Sequence, residues 1–225
     1  MIYSRGAVFG DLMDEPKKYK GTTTVGILCS DGVVLASDMR VSLGFTAAAK
    51  ERKIYKIEEN VGMAAAGVSA DARSLARILS IESKLFRMRN GRQMTIESMA
   101  SLLSNIMYQY KMFPFIAYLI LGGREESGEP KLYAFDPYGD ISKQDYFAGG
   151  SGMQLAFAIL DDGYKKEKVE ELIPLAVKAV NAGMKRDLFS GEGIDLVSIT
   201  KQGFKRYTEE EVEKILDKIK AKKRK

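Results

Sequence analysis

The chain has 225 residues, 45% of them hydrophobic and 29% charged, the proportions of a globular protein long enough to bury a core. It contains no histidine and one cysteine, Cys29, which excludes a Ser-His-Asp triad, a Cys-His pair, a histidine-ligated metal and any disulfide within the chain. The net charge of +5 comes from one place: Lys218 to Lys225, KIKAKKRK, holds six basic residues and no acid, and taking six from +5 leaves −1 for the rest.

Such a tail reads as the solvated end of a terminal helix. A nucleic-acid partner is not expected, because the charge is confined there and no aromatic stacking motif accompanies it. No apolar run is long enough to span a bilayer. The longest, FPFIAYLILGG at 113–123, has the length of a buried strand. The N-terminus lacks the basic-then-apolar layout of a signal peptide, so the expected location is cytoplasmic.

Residues 1–21, ending MDEPKKYKG, carry proline, mixed charge and no apolar period, and read as a leader or flexible arm. Strand patterns begin at Thr22. TVGILC (24–29) and VVLASDMRV (33–41) flank Ser30-Asp31-Gly32, a hairpin signal. Further strands are predicted at RKIYKI (52–57), VGMAAAG (61–67), FIAYLILGG (115–123), KLYAFDP (131–137) and IDLVSIT (194–200). Between them, Leu75, Ile78, Leu79, Leu85 and Phe86 fall at helical spacing. Met99, Leu102, Leu103, Ile106 and Tyr110 do the same after Thr95, a candidate N-cap. A third helical region over 151–186 is expected to break near Asp161-Asp162-Gly163, with Pro174 near the first turn of its second piece or kinking it. A last helix covers about 208–222. Tight turns between consecutive strands argue for antiparallel sheets with helices in outer layers, one α+β domain.

Without histidine, a general base must be a lysine, a carboxylate or an α-amine. The stretch KGTTTVGI (20–27) offers the third. If the bond after Gly21 were cut, Thr22 would present a hydroxyl nucleophile beside its own amine, a base with a reference pKa of about 7.7–8.0. Glycine before it would leave the scissile bond open to approach. A cation to support the hydroxyl could come from KERKIYKIEE (50–59), where the residues alone do not choose among Lys50, Arg52, Lys53 and Lys56. A three-residue turn with Gly32 left-handed would set Cys29 opposite Val33, Thr24 opposite Asp38 and Thr22 opposite Arg40 on one face. A two-residue turn would send Asp38 to the other face, so this chemistry demands the three-residue turn.

Taken together, GTTTVGI, DGVVLASDMRV, RKIYKI, AAAG (64–67), GGSG (149–152) and KRDLFSGEGIDL (185–196) resemble a catalytic β subunit of the 20S proteasome, archaeal type, over essentially all of Thr22 to the end. The resemblance implies an N-terminal nucleophile hydrolase fold, a four-layer αββα sandwich of two stacked antiparallel sheets between helix layers. It implies a threonine endopeptidase acting on unfolded polypeptides, with residues 1–21 a propeptide removed autocatalytically between Gly21 and Thr22. Thr22 matches the nucleophile, Asp38 and Lys53 its acid and lysine, and Gly67 the oxyanion glycine. Ser151, Asp187 and Ser190 match the group that orients the amine.

On residues alone Asp38 would pass as a surface strand acid, Ser151 as an N-cap, and Asp187 and Ser190 as turn residues. Val41, Ala65, Ser69 and Arg73 match neighbours of the P1 pocket. The small Ala65 leaves room for a large apolar P1 side chain, and Arg73 makes an acidic one conceivable. SLGFTAAAKER (42–52) is one residue shorter than the family pattern, which unsettles the pocket assignments. Expected partners are other β subunits in seven-membered rings, α-subunit rings and a regulatory ATPase; no metal or organic cofactor is implied. Thr22→Ala is expected to block processing and hydrolysis, and Thr23→Ala neither. The competing readings are a non-catalytic ring subunit and a related bacterial protease of six-membered rings.

Overall fold

In the computed structural model, residues 21–43 and 46–222 are described. The expected leader therefore lies outside the described residues except for Gly21, as do residues 44–45 of the short segment and the last three of the basic tail. In chain order the elements are β1 (Thr24–Leu28), β2 (Val33–Asp38), β3 (Arg40–Leu43), β4 (Thr46–Lys50), β5 (Ile54–Glu58), β6 (Val61–Gly67), α1 (Ser69–Asn90) and α2 (Ile96–Gln109). They continue with β7 (Ala117–Arg124), β8 (Pro130–Phe135), β9 (Ile141–Lys143), β10 (Tyr146–Gly149), α3 (Met153–Gly163), α4 (Val169–Arg186), β11 (Ile194–Thr200), β12 (Gly203–Arg206) and α5 (Glu209–Lys222).

Two five-stranded antiparallel sheets, ordered β10-β1-β2-β11-β12 and β5-β6-β7-β8-β9, form the centre. Between them Leu28, Val33, Leu35, Ile54, Ala64, Ile120, Leu132, Val197 and Ile199 make an interior layer. The outer face of the first sheet packs on α3, α4 and α5 through residues such as Val34, Ala36, Leu172, Ala176 and Val212. The outer face of the second packs on α1 and α2 through Met63, Leu75, Leu79, Leu103 and Leu119. This is the expected αββα sandwich. Central strands are covered on both faces, so β1 and β2 read as continuous apolar runs rather than alternating ones.

Thr95 caps α2 as expected, accepting from the Ser98 N–H. Pro174 stands early in the second turn of α4, next to the first. Lys218 and Lys220, near the end of α5, are exposed. Four strands escape sequence reading: β4 is nearly all alanine, β9 has three residues, and β10 and β12 are short runs beside glycine.

The β1–β2 turn differs from expectation. Cys29 N–H donates to Gly32 O (2.8 Å) and Leu28 pairs with Val33, so the turn has two residues, Ser30 and Asp31. Thr24 faces Ser37 rather than Asp38. The cause lies in what the tip docks against. Ser30 N–H donates to Glu167 O (2.8 Å), and Asp31 Oδ1 accepts from Val169 N–H (2.9 Å) at the start of α4. Gly32 has no left-handed φ; it is glycine by contact, since a Cβ there would stand 2.1 Å from Ile199 O.

Candidate active site

Six chain segments deliver residues to one end of the sandwich. Thr22 and Thr23 lead into β1, Asp38 closes β2, Lys53 precedes β5 and Gly67 ends β6. Ser151 follows β10, Asp187 is the C-cap of α4, and Ser190 lies in the turn before β11. Thr22 and Lys53 are 4% and 7% exposed and Asp38 is fully buried, so these polar groups depend on one another for partners.

On one flank of Thr22, Lys53 Nζ donates to Thr22 Oγ1 (2.9 Å) and to Asp38 Oδ1 (2.8 Å). The Asp38 carboxylate also accepts three backbone N–H groups, from Thr23 (3.0 Å), Arg40 (3.0 Å) and Gly191 (2.9 Å). Asp38 therefore reaches the site despite the two-residue turn. Asp38 stands opposite Thr23, whose carbonyl accepts its N–H (3.0 Å), and its carboxylate folds back onto Thr23 N–H; Lys53, arriving from the other sheet, spans the gap to Thr22. Burial pulls the Lys53 ammonium below the ordinary lysine pKa, and the charges of Asp38, Glu51 and Asp187 oppose that pull.

On the other flank, Thr22 N–H donates to Ser151 Oγ (3.1 Å). Ser151 and Ser190 each donate a hydroxyl to Asp187 Oδ2, both at 2.6 Å, and Phe189 N–H meets Oδ1 at 3.4 Å. Thr23 Oγ1 lies 2.8 Å from Ser190 Oγ. Since the Ser190 proton is committed to Asp187, Thr23 is the donor. Thr23 is fully buried, and a Cβ on Gly183 would stand 2.2 Å from its hydroxyl oxygen. Sequence reading passed over this residue, and nothing in three consecutive threonines distinguishes it.

Thr22 Oγ1 donates to Gly21 O (2.6 Å). A Cβ on residue 21 would lie 1.9 Å from Phe189 Cβ and 2.5 Å from Ser151 Oγ, so the position accepts only glycine without rearrangement. Gly67 has φ +122°, and a Cβ there would meet Ile116 O at 2.2 Å. A cleft opens beside Thr22, lined by Lys53, Tyr55, Ala66 and Gly67, with Val41, Ala65 and Ser69 among its walls.

Arg73 is not among the cleft's lining residues. Its guanidinium pairs with Glu51 (3.1 Å) and it is turned to a neighbouring groove shared with Arg77 and Lys84. Arg40, quoted in the sequence motif without a role, ties the site together. Its N–H holds Asp38, and its side chain reaches Leu188 O (3.0 Å) and Glu192 (3.3 Å).

Residues 18–199 match the profile of a family described as proteasome subunit. The proteasome subunit beta of Methanocaldococcus sp. (strain FS406-22) is 46% identical over 209 residues, covering 92% of this chain and 93% of that one. Proteasome subunit beta 2 of Pyrococcus abyssi is 44% identical over 202 residues, 89% of this chain and 97% of that one. The proteasome subunit beta of Archaeoglobus fulgidus is 44% identical over 210 residues, 92% and 98% of the two chains.

Proposed function

The chain belongs to the proteasome subunit family as a β subunit, and from that premise we propose that it is a threonine endopeptidase whose nucleophile, Thr22, is freed by a cut after Gly21. The observation that carries the reading is the shared lysine: Lys53 Nζ bonds both Thr22 Oγ1 and the buried Asp38 carboxylate, in a chain that has no histidine. An ammonium against a hydroxyl oxygen favours its ionised form, and a buried carboxylate fixes where that ammonium sits.

In processing, Thr22 Oγ adds to the Gly21 carbonyl carbon, and its proton ends on the Thr22 nitrogen as the Gly21–Thr22 C–N bond breaks, leaving a Thr22 amine and the acyl group as an ester on oxygen. Water then hydrolyses the ester to a Gly21 carboxylate and a free Thr22 hydroxyl. Substrate cleavage repeats the chemistry on an incoming peptide, with the amine taking the hydroxyl proton and returning it to the leaving nitrogen. Ser151 and Asp187 orient that amine. The backbone N–H of Gly67, at the cleft wall, is the proposed oxyanion donor. The chain takes its place among other proteasome subunits. Seven-membered β rings between α rings, a regulatory ATPase and a cytoplasmic setting complete the proposal.

The test is Thr22→Ala in the assembled particle, read by intact mass and by hydrolysis of a fluorogenic peptide. The parent subunit is expected to begin at Thr22, and the variant to remain full-length and inactive. Active parent protein still beginning at Met1, or undiminished hydrolysis by Thr22→Ala, would overturn the reading.

A further inference from the structure

β5 is the edge strand of its sheet, and the strand that pairs with it, β6, covers only one side. The first residue of that edge, Ile54, has both of its backbone polar groups taken by one ion pair from the opposite sheet. Its N–H donates to Asp195 Oδ2 of β11 (3.3 Å), and its carbonyl accepts from Arg206 Nη2 of β12. Asp195 Oδ1 in turn faces Arg206 Nε at 3.4 Å. The preceding residue is Lys53, whose carbonyl accepts from Ala65 N–H (3.0 Å).

We propose that Asp195 and Arg206 are positioning residues, a clamp on the Ile54 backbone that sets where Lys53 delivers its ammonium to Thr22. The proposal rests on the reading of Lys53 and Thr22 given above. It adds two residues from strands that touch neither the nucleophile nor the cleft. A lysine side chain turns about four bonds, so the point reached by Nζ depends on where its Cα is fixed. That Cα lies at the junction where the chain enters β5, and the clamp replaces the neighbouring strand that the edge lacks.

The choice of groups also argues for position over stability. Asp195 is 3% exposed, and burial pushes its carboxyl above the usual range while Arg206 opposes that shift. A buried ion pair of this kind brings little net stability against an apolar pair of the same volume. What it brings is a fixed direction: Nη2 donates to Ile54 O, and the rigid guanidinium plane holds Nε, which makes no hydrogen bond, in ion contact with Asp195 Oδ1. Lysine could supply the charge at 206 but not a planar group that bonds Ile54 O and faces Asp195 at once.

The experiment uses the assembled, processed particle. Arg206→Met keeps the stem and removes the guanidinium, and Arg206→Lys restores the charge alone. Per processed site, Arg206→Met is expected to lose about tenfold or more in kcat. Its KM should stay within about twofold, and its pH–rate profile should shift because Lys53 no longer meets Asp38, Glu51 and Asp187 in the same geometry. Arg206→Lys should fall between it and the parent. A parent kcat and pH profile in processed Arg206→Met would overturn the clamp, as would a loss explained wholly by fewer processed sites. Should Arg206→Met not assemble, Asp195→Asn, nearly isosteric, decides by the same two readouts. Hydrolysis by Thr22→Ala would instead remove the premise; an inactive Thr22→Ala beside fully active clamp variants sinks the clamp alone.

Discussion

The two flanks of Thr22 each centre on a carboxylate, and they are built from opposite materials. Asp38 is held by three backbone N–H groups and one ammonium. Asp187 is held mainly by the hydroxyls of Ser151 and Ser190, with a long contact from Phe189 N–H. A backbone N–H can only donate, so the Asp38 pocket has one solution. A hydroxyl rotates and can donate or accept, so the Asp187 pocket can reverse its bonds and survive a change of partner. The first flank fixes a charge; the second fixes an orientation through parts that can adjust.

The largest expected effect is at the lysine that joins the first flank to the nucleophile. Lys53→Ala should lower hydrolysis by about a hundredfold to a thousandfold, measured as kcat on assembled particle. The three N–H donors should keep Asp38 in place and the subunit folded. Near-normal turnover, with Lys50→Ala inactive instead, would mean that the wrong lysine had been identified.

A paired substitution tests the contrast directly. Asp38→Asn turns an NH2 group toward donors that cannot reverse, and should cost about 3 kcal/mol of stability along with activity. Asp187→Asn meets hydroxyls that can, and should retain nearly parental melting while losing roughly tenfold in rate. Equal melting losses in the two would erase the distinction between the flanks.

A smaller effect is expected at Thr23. Thr23→Ala removes the bond donated to Ser190 and leaves a small void beside Gly183, for about 1–2 kcal/mol in a chemical denaturation curve. Processing should persist. Thr23→Ser, which keeps the hydroxyl, should recover much of the loss. The sequence alone suggests a cost in strand propensity and no more.

The smallest effect is on the pH dependence of stability. Burial sets the folded Lys53 pKa below its unfolded value. Between the two values the unfolded chain binds more protons, so this group makes stability rise with pH through that window. Below the folded value lysine is charged in both states and contributes no slope. Denaturation of parent and Lys53→Ala at alkaline pH should show the rise in the parent alone.

The architecture was legible because burial on both faces writes itself as apolar runs. VGMAAAG and IDLVSIT match β6 and β11 residue for residue, while the two helix stripes are met in part: Leu75, Leu79, Met99 and Leu103 are buried, Ile78, Leu85 and Phe86 only partly, and Tyr110 is exposed. Short or alanine-rich strands carry no such period, and β10, which brings Ser151 beside Thr22, was therefore unreadable. At the site, the resemblance located Asp38 and Lys53 where composition could not. The β1–β2 turn departs from its local signal because its register is set by Glu167 and Val169, residues distant in sequence that no turn motif reports. The ion pair of Arg73 with Glu51 was likewise not visible in the spacing.

The docked hairpin tip can also be seen as a joint in a frame. From it β2 runs about 17 Å to Asp38, while α4, tied to the same tip through Asp31 and Val169, runs about 27 Å to Asp187. Two stiff members leave one node and end at the two carboxylates that bracket Thr22. Their separation is gauged from a shared datum at the far end of the molecule, so a displacement of that node moves both ends together and leaves the bracket closed.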